Sequence, residues 1–324
     1  MEDFDVIQAL QKYTAPVIQR LLSDELSSTF PDCARLLEYR VIEIPAWQIA
    51  LPVICSQAVG GSVEVGNTVA AAWYPMSLAS EILDSVEDKE FIPDHIMPSP
   101  ETAANLATSL IFLAFHNLTM IQDPDGARRV SRIYSRLGFE TTNGQHRDLT
   151  AISATVEQRL NDYWETTILK SGSVFRTATA GGAASGTSDE ALIEELGDYG
   201  TALGVMLQLL DDCRDAFSQL HEAIHWEISL PLLLYLITIG EEKIAFPKIN
   251  TKAEWSNVLR ETGVITAISE LLLEWKMRAL ESLALLSMSK EKLILEKIPS
   301  FFLERIPVFD KEARDGSTSR EELS

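Results

Sequence analysis

Basic residues are scarce in this sequence of 324 residues. It holds 27 lysines and arginines against 48 aspartates and glutamates, which gives a formal charge of −21 at neutral pH. So acidic a chain repels the phosphates of nucleic acids and the headgroups of anionic lipids. We therefore predict no nucleic-acid partner. An anionic substrate would require metal ions or a local basic group to offset the charge.

Cysteines and long apolar runs are also few. The three cysteines are too few for a disulfide scaffold and are typical of reduced, buried thiols. The longest apolar run, Ile228–Ile239, is too short to cross a bilayer and contains Pro231. The first residues show no basic segment followed by an apolar run, which a signal peptide requires. We predict a cytoplasmic protein without stable membrane insertion.

What the sequence does contain is helical periodicity, in a composition that is 46% hydrophobic. No alternating strand pattern of any length occurs, so the prediction is an all-α fold. Residues 1–308 are predicted to form one domain, followed by a polar, flexible tail at 309–324. The small residues of Ala178–Ser188 predict a kinked helix joint or a loop. The predicted helices span residues 4–23, 45–60, 66–88, 101–121, 126–137, 150–170, 189–220, 229–240, 252–288 and 289–304.

Two nearly uncharged helical runs end in carboxylates. In the second run, Asp211 and Asp215 stand at i and i+4 and share a helix face, with Asp212 beside them. Like charges at this spacing destabilise a helix by roughly 0.2–0.5 kcal/mol. Oxygen-ligated Mg²⁺ would offset that cost. A solvated acidic helix end is the alternative, and these residues alone do not decide between the two.

The first run ends in a similar acidic stripe, with Glu81, Asp84 and Asp88 at i, i+3 and i+7. Two apolar helices that each end in carboxylates can face each other across a cavity. Such an arrangement suits Mg²⁺ ions that hold a diphosphate between them. A charged helix exit into solvent is again the alternative.

The order of four motifs resembles the trans-isoprenyl diphosphate synthase family. Residues 208–215 (QLLDDCRD) match its second aspartate-rich motif, QxxDDxxD, in full. Residues 84–88 (DSVED) stand where the first motif, DDxxD, is expected, with Ser85 in place of the second aspartate. Between them, residues 144–149 (GQHRDL) are similar to GQxxDL, and residues 170–172 (KSG) are similar to KTG.

The resemblance implies an all-α isoprenoid synthase helical bundle with a central active-site cavity, in a homodimer. It implies that both acidic motifs face each other through three Mg²⁺ ions. Gln145 and Lys170 would contact the allylic diphosphate, and Gln208 would belong to the substrate site. The implied metal ligands are Asp84, Asp88, Asp211, Asp212 and Asp215.

The sequence departs from the family where a second diphosphate, that of isopentenyl diphosphate, would bind. The family's basic GKRxRP segment is matched by residues 47–52 (WQIALP), which keep the proline and none of the bases. The arginine pair expected after the first acidic motif is replaced by residues 89–93 (KEFIP). The lysine-rich segment after the second is replaced by residues 223–227 (AIHWE). A diphosphate needs cationic or donor partners, which apolar residues do not supply.

The chemistry implied by the retained motifs is ionisation of a single prenyl diphosphate. We predict a class I terpene synthase, a prenyl diphosphate lyase, that acts on a C15–C25 substrate. Mg²⁺-dependent ionisation would be followed by cyclisation or elimination without isopentenyl diphosphate. Trp73, Tyr74 and Met76, on the helix before Asp84, are candidates to line the pocket and stabilise a cation, although plain core packing is the alternative for each.

Two other functions remain open at this stage. A prenyltransferase with an aromatic or peptide acceptor would also lack the isopentenyl diphosphate site. A non-catalytic subunit or binding protein of the same fold is favoured by Ser85 in the first motif. The retention of Asp211, Asp212, Asp215, Gln145 and Lys170 together favours an enzyme.

Overall fold

The computed structural model describes residues 6–22, 24–89, 91–152, 155–218, 229–242 and 252–304. Within these ranges the chain is helical and contains no β-strand, which confirms the all-α prediction. The predicted tail at 309–324 lies outside the described residues, and the single domain over 1–308 stays a prediction. The helices are α1 Val6–Leu21, α2 Asp24–Thr29, α3 Pro31–Arg40, α4 Ala46–Ala58, α5 Val63–Glu87, α6 Pro100–Leu118, α7 Pro124–Thr150, α8 Val156–Thr167, α9 Ser173–Gly186, α10 Glu190–Ser218, α11 Leu230–Thr238, α12 Lys252–Glu261, α13 Val264–Glu281 and α14 Lys290–Leu303.

Helix α5 lies at the centre of the bundle, packed against α4, α6 and α9. Ser62 caps it, since its hydroxyl accepts a hydrogen bond from the Val65 amide at 3.2 Å. Buried residues follow almost without interruption from Gly66 to Ala79, because apolar side chains cover every face of the helix. The acidic end of α5 therefore emerges from the core at a defined place.

Pro75 interrupts α5 and leaves the carbonyl of Ala71 without its helical partner. The side chain of Asn117, which is buried on α6, fills that gap. Its Nδ2 donates to the Ala71 oxygen at 3.1 Å. The proline is thus accommodated inside a buried helix by an amide from its neighbour.

Small residues make α9 a buried helix, where the sequence predicts a joint or loop at Ala178–Ser188. A Cβ at Gly182 would stand 2.4 Å from the carbonyl oxygen of Pro52 on α4. A Cβ at Gly186 would stand 2.7 Å from the carbonyl oxygen of Ser56. The alanines and glycines of this segment therefore allow two helix backbones to approach closely, and residues 178–186 are helical, so the loop alternative is wrong for this part.

Other helix boundaries also differ from the prediction. The segment around Gln145, which can be interpreted as a turn and helix cap, lies inside α7. The single helix predicted over 252–288 is broken at Gly263, whose φ of 76° is left-handed. Helices α2 and α3 are absent from the prediction. Among the described residues, no helix combines the length and the apolar character needed to cross a membrane.

The contact between Asn117 and α5 gives a first prediction. Asn117→Ala leaves the buried Ala71 carbonyl unsatisfied, and we expect it to lower the free energy of unfolding by about 1–3 kcal/mol. Asn105→Ala, on an exposed position of the same helix, is the matched control and should change it by less than about 0.5 kcal/mol. Urea unfolding followed by circular dichroism measures both. Equal effects of the two variants would contradict the assigned role.

Candidate active site

A π-helical turn at Ile168–Gly172 carries Lys170 and Ser171 between α8 and α9. Such turns in helices are frequent at functional sites. Two glycines let the neighbouring helices approach it closely. A Cβ at Gly144 of α7 would stand 2.8 Å from the Lys170 nitrogen, and a Cβ at Gly204 of α10 would stand 2.2 Å from the Ser171 oxygen. The turn is therefore clamped between α7 and α10.

The Lys170 ammonium lies between carboxylates of different helices. Its Nζ is 2.5 Å from Asp84 Oδ1, at the end of α5, and 3.7 Å from Asp148 Oδ2, on α7. Burial acts to lower the pKa of Lys170, but the charges of Asp84, Asp148 and Asp88 outweigh it and raise the pKa above its ordinary value. Because the folded-state pKa is raised, the group stays charged at neutral pH, and its stabilising effect is lost only in strongly alkaline solution.

Gln145 connects α7 to the same acidic group. Its Nε2 donates to Asp88 Oδ1 at 3.4 Å, and its buried Oε1 has no hydrogen-bond partner among the described residues. Arg159 of α8 donates to Asp148 Oδ1 at 3.3 Å. The residues of the first acidic motif and of the GQxxDL and KSG motifs thus form one charged group.

The two adjacent aspartates of the second motif have different surroundings. The side chain of Asp211 is 35% exposed and its Oδ1 lies 3.2 Å from Arg214 Nη1. Asp212 is buried, and both of its oxygens accept hydrogen bonds. Gln208 Nε2 donates to Oδ1 at 2.8 Å, and the Leu230 amide at the start of α11 donates to Oδ2 at 3.1 Å. The side chain of Asp215 lies outside the described residues.

Gln208 also joins the second motif to the π-helical turn, because the Ser171 hydroxyl donates to its Oε1 at 2.7 Å. Lys170, the preceding residue, reaches Asp84 of the first motif. The two acidic motifs therefore flank one turn. No group of three His, Cys, Asp or Glu side chains within the described ranges stands in metal-binding geometry.

The candidate pocket residues of α5 lie upstream of this site. Trp73 is 1% exposed, and its Nε1 donates to the Val174 oxygen at 2.8 Å. Tyr74 is also buried, and its pKa is raised first by burial. Met76 is partly buried and packs against the core, with its methyl group next to Gly138. These contacts are those of core residues, and a role in shaping a pocket stays a prediction.

The segment that departs from the basic motif lies in α4 and is core. Ile49 is 1% exposed and Leu51 is fully buried. Trp47 stacks on Phe175 at 5.7 Å between ring centroids and meets the edge of Phe302 at 5.4 Å. Apolar packing therefore occupies two of the three positions where the resemblance would place bases, those of Ile49 and Leu51, and the partly buried Gln48 stands at the third.

Three residues of the site were not selected from the sequence. Asp148 and Ser171 stand inside the GQxxDL and KSG motifs, so the motifs could have indicated them. Arg159 carries no sequence signal, because its partnership with Asp148 depends on how α7 and α8 pack.

The close approach at Gly144 gives a second prediction. Gly144→Ala places a Cβ against the backbone of the turn, so we expect a loss of about 1–3 kcal/mol in the free energy of unfolding. Gly138→Ala is the matched control on the same helix, because its Cβ would meet only the flexible end of Met76 at 2.7 Å. It should be neutral or slightly stabilising. Thermal unfolding distinguishes them, and an unchanged melting temperature for Gly144→Ala would contradict the clamp.

A family model described as polyprenyl synthetase matches residues 95–224. A geranylfarnesyl diphosphate synthase of Methanosarcina mazei is 25% identical over 169 residues, which are 49% of this chain and 53% of the relative. The alignment therefore spans about half the length of that curated relative.

Solved structures extend the likeness to the whole fold. A geranylgeranyl pyrophosphate synthetase of Pyrococcus horikoshii aligns with a TM-score of 0.75 at 20% identity, over 93% of this chain and 98% of its own. A polyprenyl synthase of Caulobacter crescentus, solved with calcium and isoprenyl diphosphate, aligns with a TM-score of 0.74 at 19% identity, over 93% and 97%. The resemblance is confirmed: the chain has the fold of the trans-isoprenyl diphosphate synthases, and residues 95–224 carry the polyprenyl synthetase pattern.

Proposed function

We propose that this protein is a Mg²⁺-dependent enzyme that ionises one C15–C25 prenyl diphosphate without isopentenyl diphosphate, as a class I terpene synthase. The observation that carries the proposal is that a lysine–carboxylate group around one turn occurs together with an apolar α4. Lys170 and the acidic motifs are gathered around one turn, whereas Ile49 and Leu51 are buried in the core.

The donor set around the turn suits Mg²⁺, which prefers carboxylate oxygens. Asp84 and Asp211 have side chains that are 36% and 35% exposed, so both can reach an ion at the surface of the site. Asp88 follows α5 directly and extends the first group. When bound, Mg²⁺ supplies a Lewis acid that takes up the charge developing on the leaving diphosphate. Three ions, as the resemblance implies, are part of the proposal.

Lys170 supplies the local positive charge that an acidic protein needs for an anionic substrate. Its ammonium is carried on a clamped turn beside Asp84 and Asp148, so it would lie next to a diphosphate held by metal ions on the acidic motifs. Gln145 adds an amide donor, Nε2, which donates to Asp88 Oδ1 at 3.4 Å and is the atom from which a diphosphate oxygen could accept. We propose that both side chains orient the diphosphate between the acidic motifs.

Chain elongation is the second candidate, because the relatives are named as prenyl diphosphate synthases. It would require a binding site for isopentenyl diphosphate outside the matching part of α4. A prenyltransferase with an aromatic or peptide acceptor fits the apolar α4 equally well. A non-catalytic role would follow if Ser85 in the first motif impairs metal binding.

The remaining properties implied by the resemblance and composition are proposals as well. A homodimer would cover exposed apolar side chains such as Phe112, which is 70% exposed, and Phe139, which is 79% exposed. A cytoplasmic location and the absence of nucleic-acid partners follow from composition alone.

A product assay gives the third prediction. The full chain is incubated with Mg²⁺ and, separately, geranyl, farnesyl, geranylgeranyl and geranylfarnesyl diphosphate, each with and without isopentenyl diphosphate. We expect diphosphate release and a terpene product from one substrate of C15–C25, unchanged by isopentenyl diphosphate and abolished by a chelator. Released diphosphate and mass spectrometry of extracted products measure the outcome. A product longer by one C5 unit, formed only with isopentenyl diphosphate, would instead establish elongation.

Variants test the metal assignment in the same assay. Asp211→Asn removes the negative charge of a proposed metal ligand, so we expect turnover to fall by roughly 10²-fold or more. Glu190→Gln, at the opposite end of α10 and exposed, is the control and should retain activity. Normal turnover of Asp211→Asn would contradict the assignment. If the wild type releases no diphosphate from any of the four substrates, an acceptor or a partner subunit should be tested next.

A further inference from the structure

The side chain of Asp212 differs from that of an unoccupied metal ligand, because its oxygens already have hydrogen-bond partners. It is buried, and its two oxygens are engaged by partners on different elements. Oδ2 accepts from the backbone amide of Leu230, which is one of the free amides at the start of α11. Ser229, the residue before that helix, provides no side-chain cap. Asp212 therefore takes the capping role from α10. Asp212 thereby anchors the first turn of α11 to α10, the helix on which it lies.

The hydrogen bonds beyond Asp212 have a fixed direction. A carboxylate only accepts, so Gln208 must present its amino group to Asp212 and its oxygen to Ser171. The Ser171 hydroxyl donates to that oxygen at 2.7 Å. Asp212 thereby sets the orientation of the Gln208 amide, and Gln208 in turn holds the π-helical turn that carries Lys170.

We propose that Asp212 is a positioning residue that acts on Lys170 through Gln208 and Ser171, and that Asp211 supplies the metal ligand of this aspartate pair. The part that concerns Lys170 and the metal rests on the proposed function. The reason for an aspartate at position 212 is its two acceptor oxygens, which the Leu230 amide and the Gln208 amide use.

Donor and acceptor groups can be exchanged between positions 208 and 212, and this exchange restores the hydrogen bond from Ser171. In Asp212→Asn the single oxygen can accept from Leu230 only if the amino group faces Gln208. The Gln208 amide must then reverse and present its amino group to Ser171, whose hydroxyl has to accept instead of donate. In the double variant Asp212→Asn with Gln208→Glu, the new amino group donates to the new carboxylate, which still accepts from Ser171. The hydrogen bond from Ser171 then keeps its wild-type direction, and the negative charge stands at position 208 instead of position 212.

The fourth prediction compares four proteins, namely the wild type, Asp212→Asn, the double variant and Asp211→Asn. We expect Asp212→Asn to lower the melting temperature by roughly 2–6 °C and to accelerate hydrogen exchange in the peptide that holds the Leu230 amide. Its KM for the prenyl diphosphate should rise several-fold while kcat changes less. The double variant should recover the melting temperature, the exchange rate and the KM.

Metal binding is measured separately, as the melting-temperature shift on adding Mg²⁺ with inorganic diphosphate. Asp212→Asn should keep this shift, whereas Asp211→Asn should lose it and keep the basal melting temperature. Loss of the shift in Asp212→Asn with normal Leu230 exchange would overturn the proposal and make Asp212 a metal ligand. Failure of the double variant to recover would also overturn it. If the wild type shows no shift, the proposed function fails, while the exchange and recovery results still test the anchor.

Discussion

The site depends on the close packing of one π-helical turn between two helices. Gly144 and Gly204 bring the backbones of α7 and α10 against Ile168–Gly172, where no larger residue fits without displacing backbone atoms. A turn held in this way gives Lys170 a fixed starting point, so a long and flexible side chain can act at a defined place. The motifs of this region are therefore motifs of packing as well as of chemistry.

A positive charge at that turn offsets part of the strongly negative charge of the chain. A chain with a formal charge of −21 repels a diphosphate at long range. The Lys170 ammonium, whose pKa is raised by its carboxylate neighbours, offsets part of the charge between the carboxylates of α5 and α7. Metal ions on Asp84, Asp88 and Asp211 would complete the neutralisation, and the substrate could then lie among groups that are already oriented.

The fold and the identity of the charged motifs could be predicted from the sequence, because helical periodicity and motif order are local patterns. The different surroundings of Asp211 and Asp212 could not be predicted in this way. They are neighbours of the same residue type, and the difference arises from the tertiary contact between Asp212 and Leu230. The segment around Gly182 was misjudged for a related reason, since small residues indicate flexibility in an isolated chain and close packing inside a bundle.

The candidate pocket residues could not be assigned from the sequence either. Trp73 has the ring that a cation would favour, yet its indole donates to a backbone carbonyl and packs in the core. Whether a side chain lines a cavity depends on where neighbouring helices stand, and periodicity does not contain that information. The apolar α4 could be recognised from the sequence, because three bases of a motif are replaced together.

A crystal structure with Mg²⁺ and inorganic diphosphate would show whether the π-helical turn and the acidic motifs hold a diphosphate. We expect a diphosphate contacted by the Lys170 ammonium, metal ions on Asp84 and Asp211, and Asp212 still bound to Gln208 and Leu230. Diphosphate bound elsewhere, with Lys170 remaining on Asp84, would contradict this expectation.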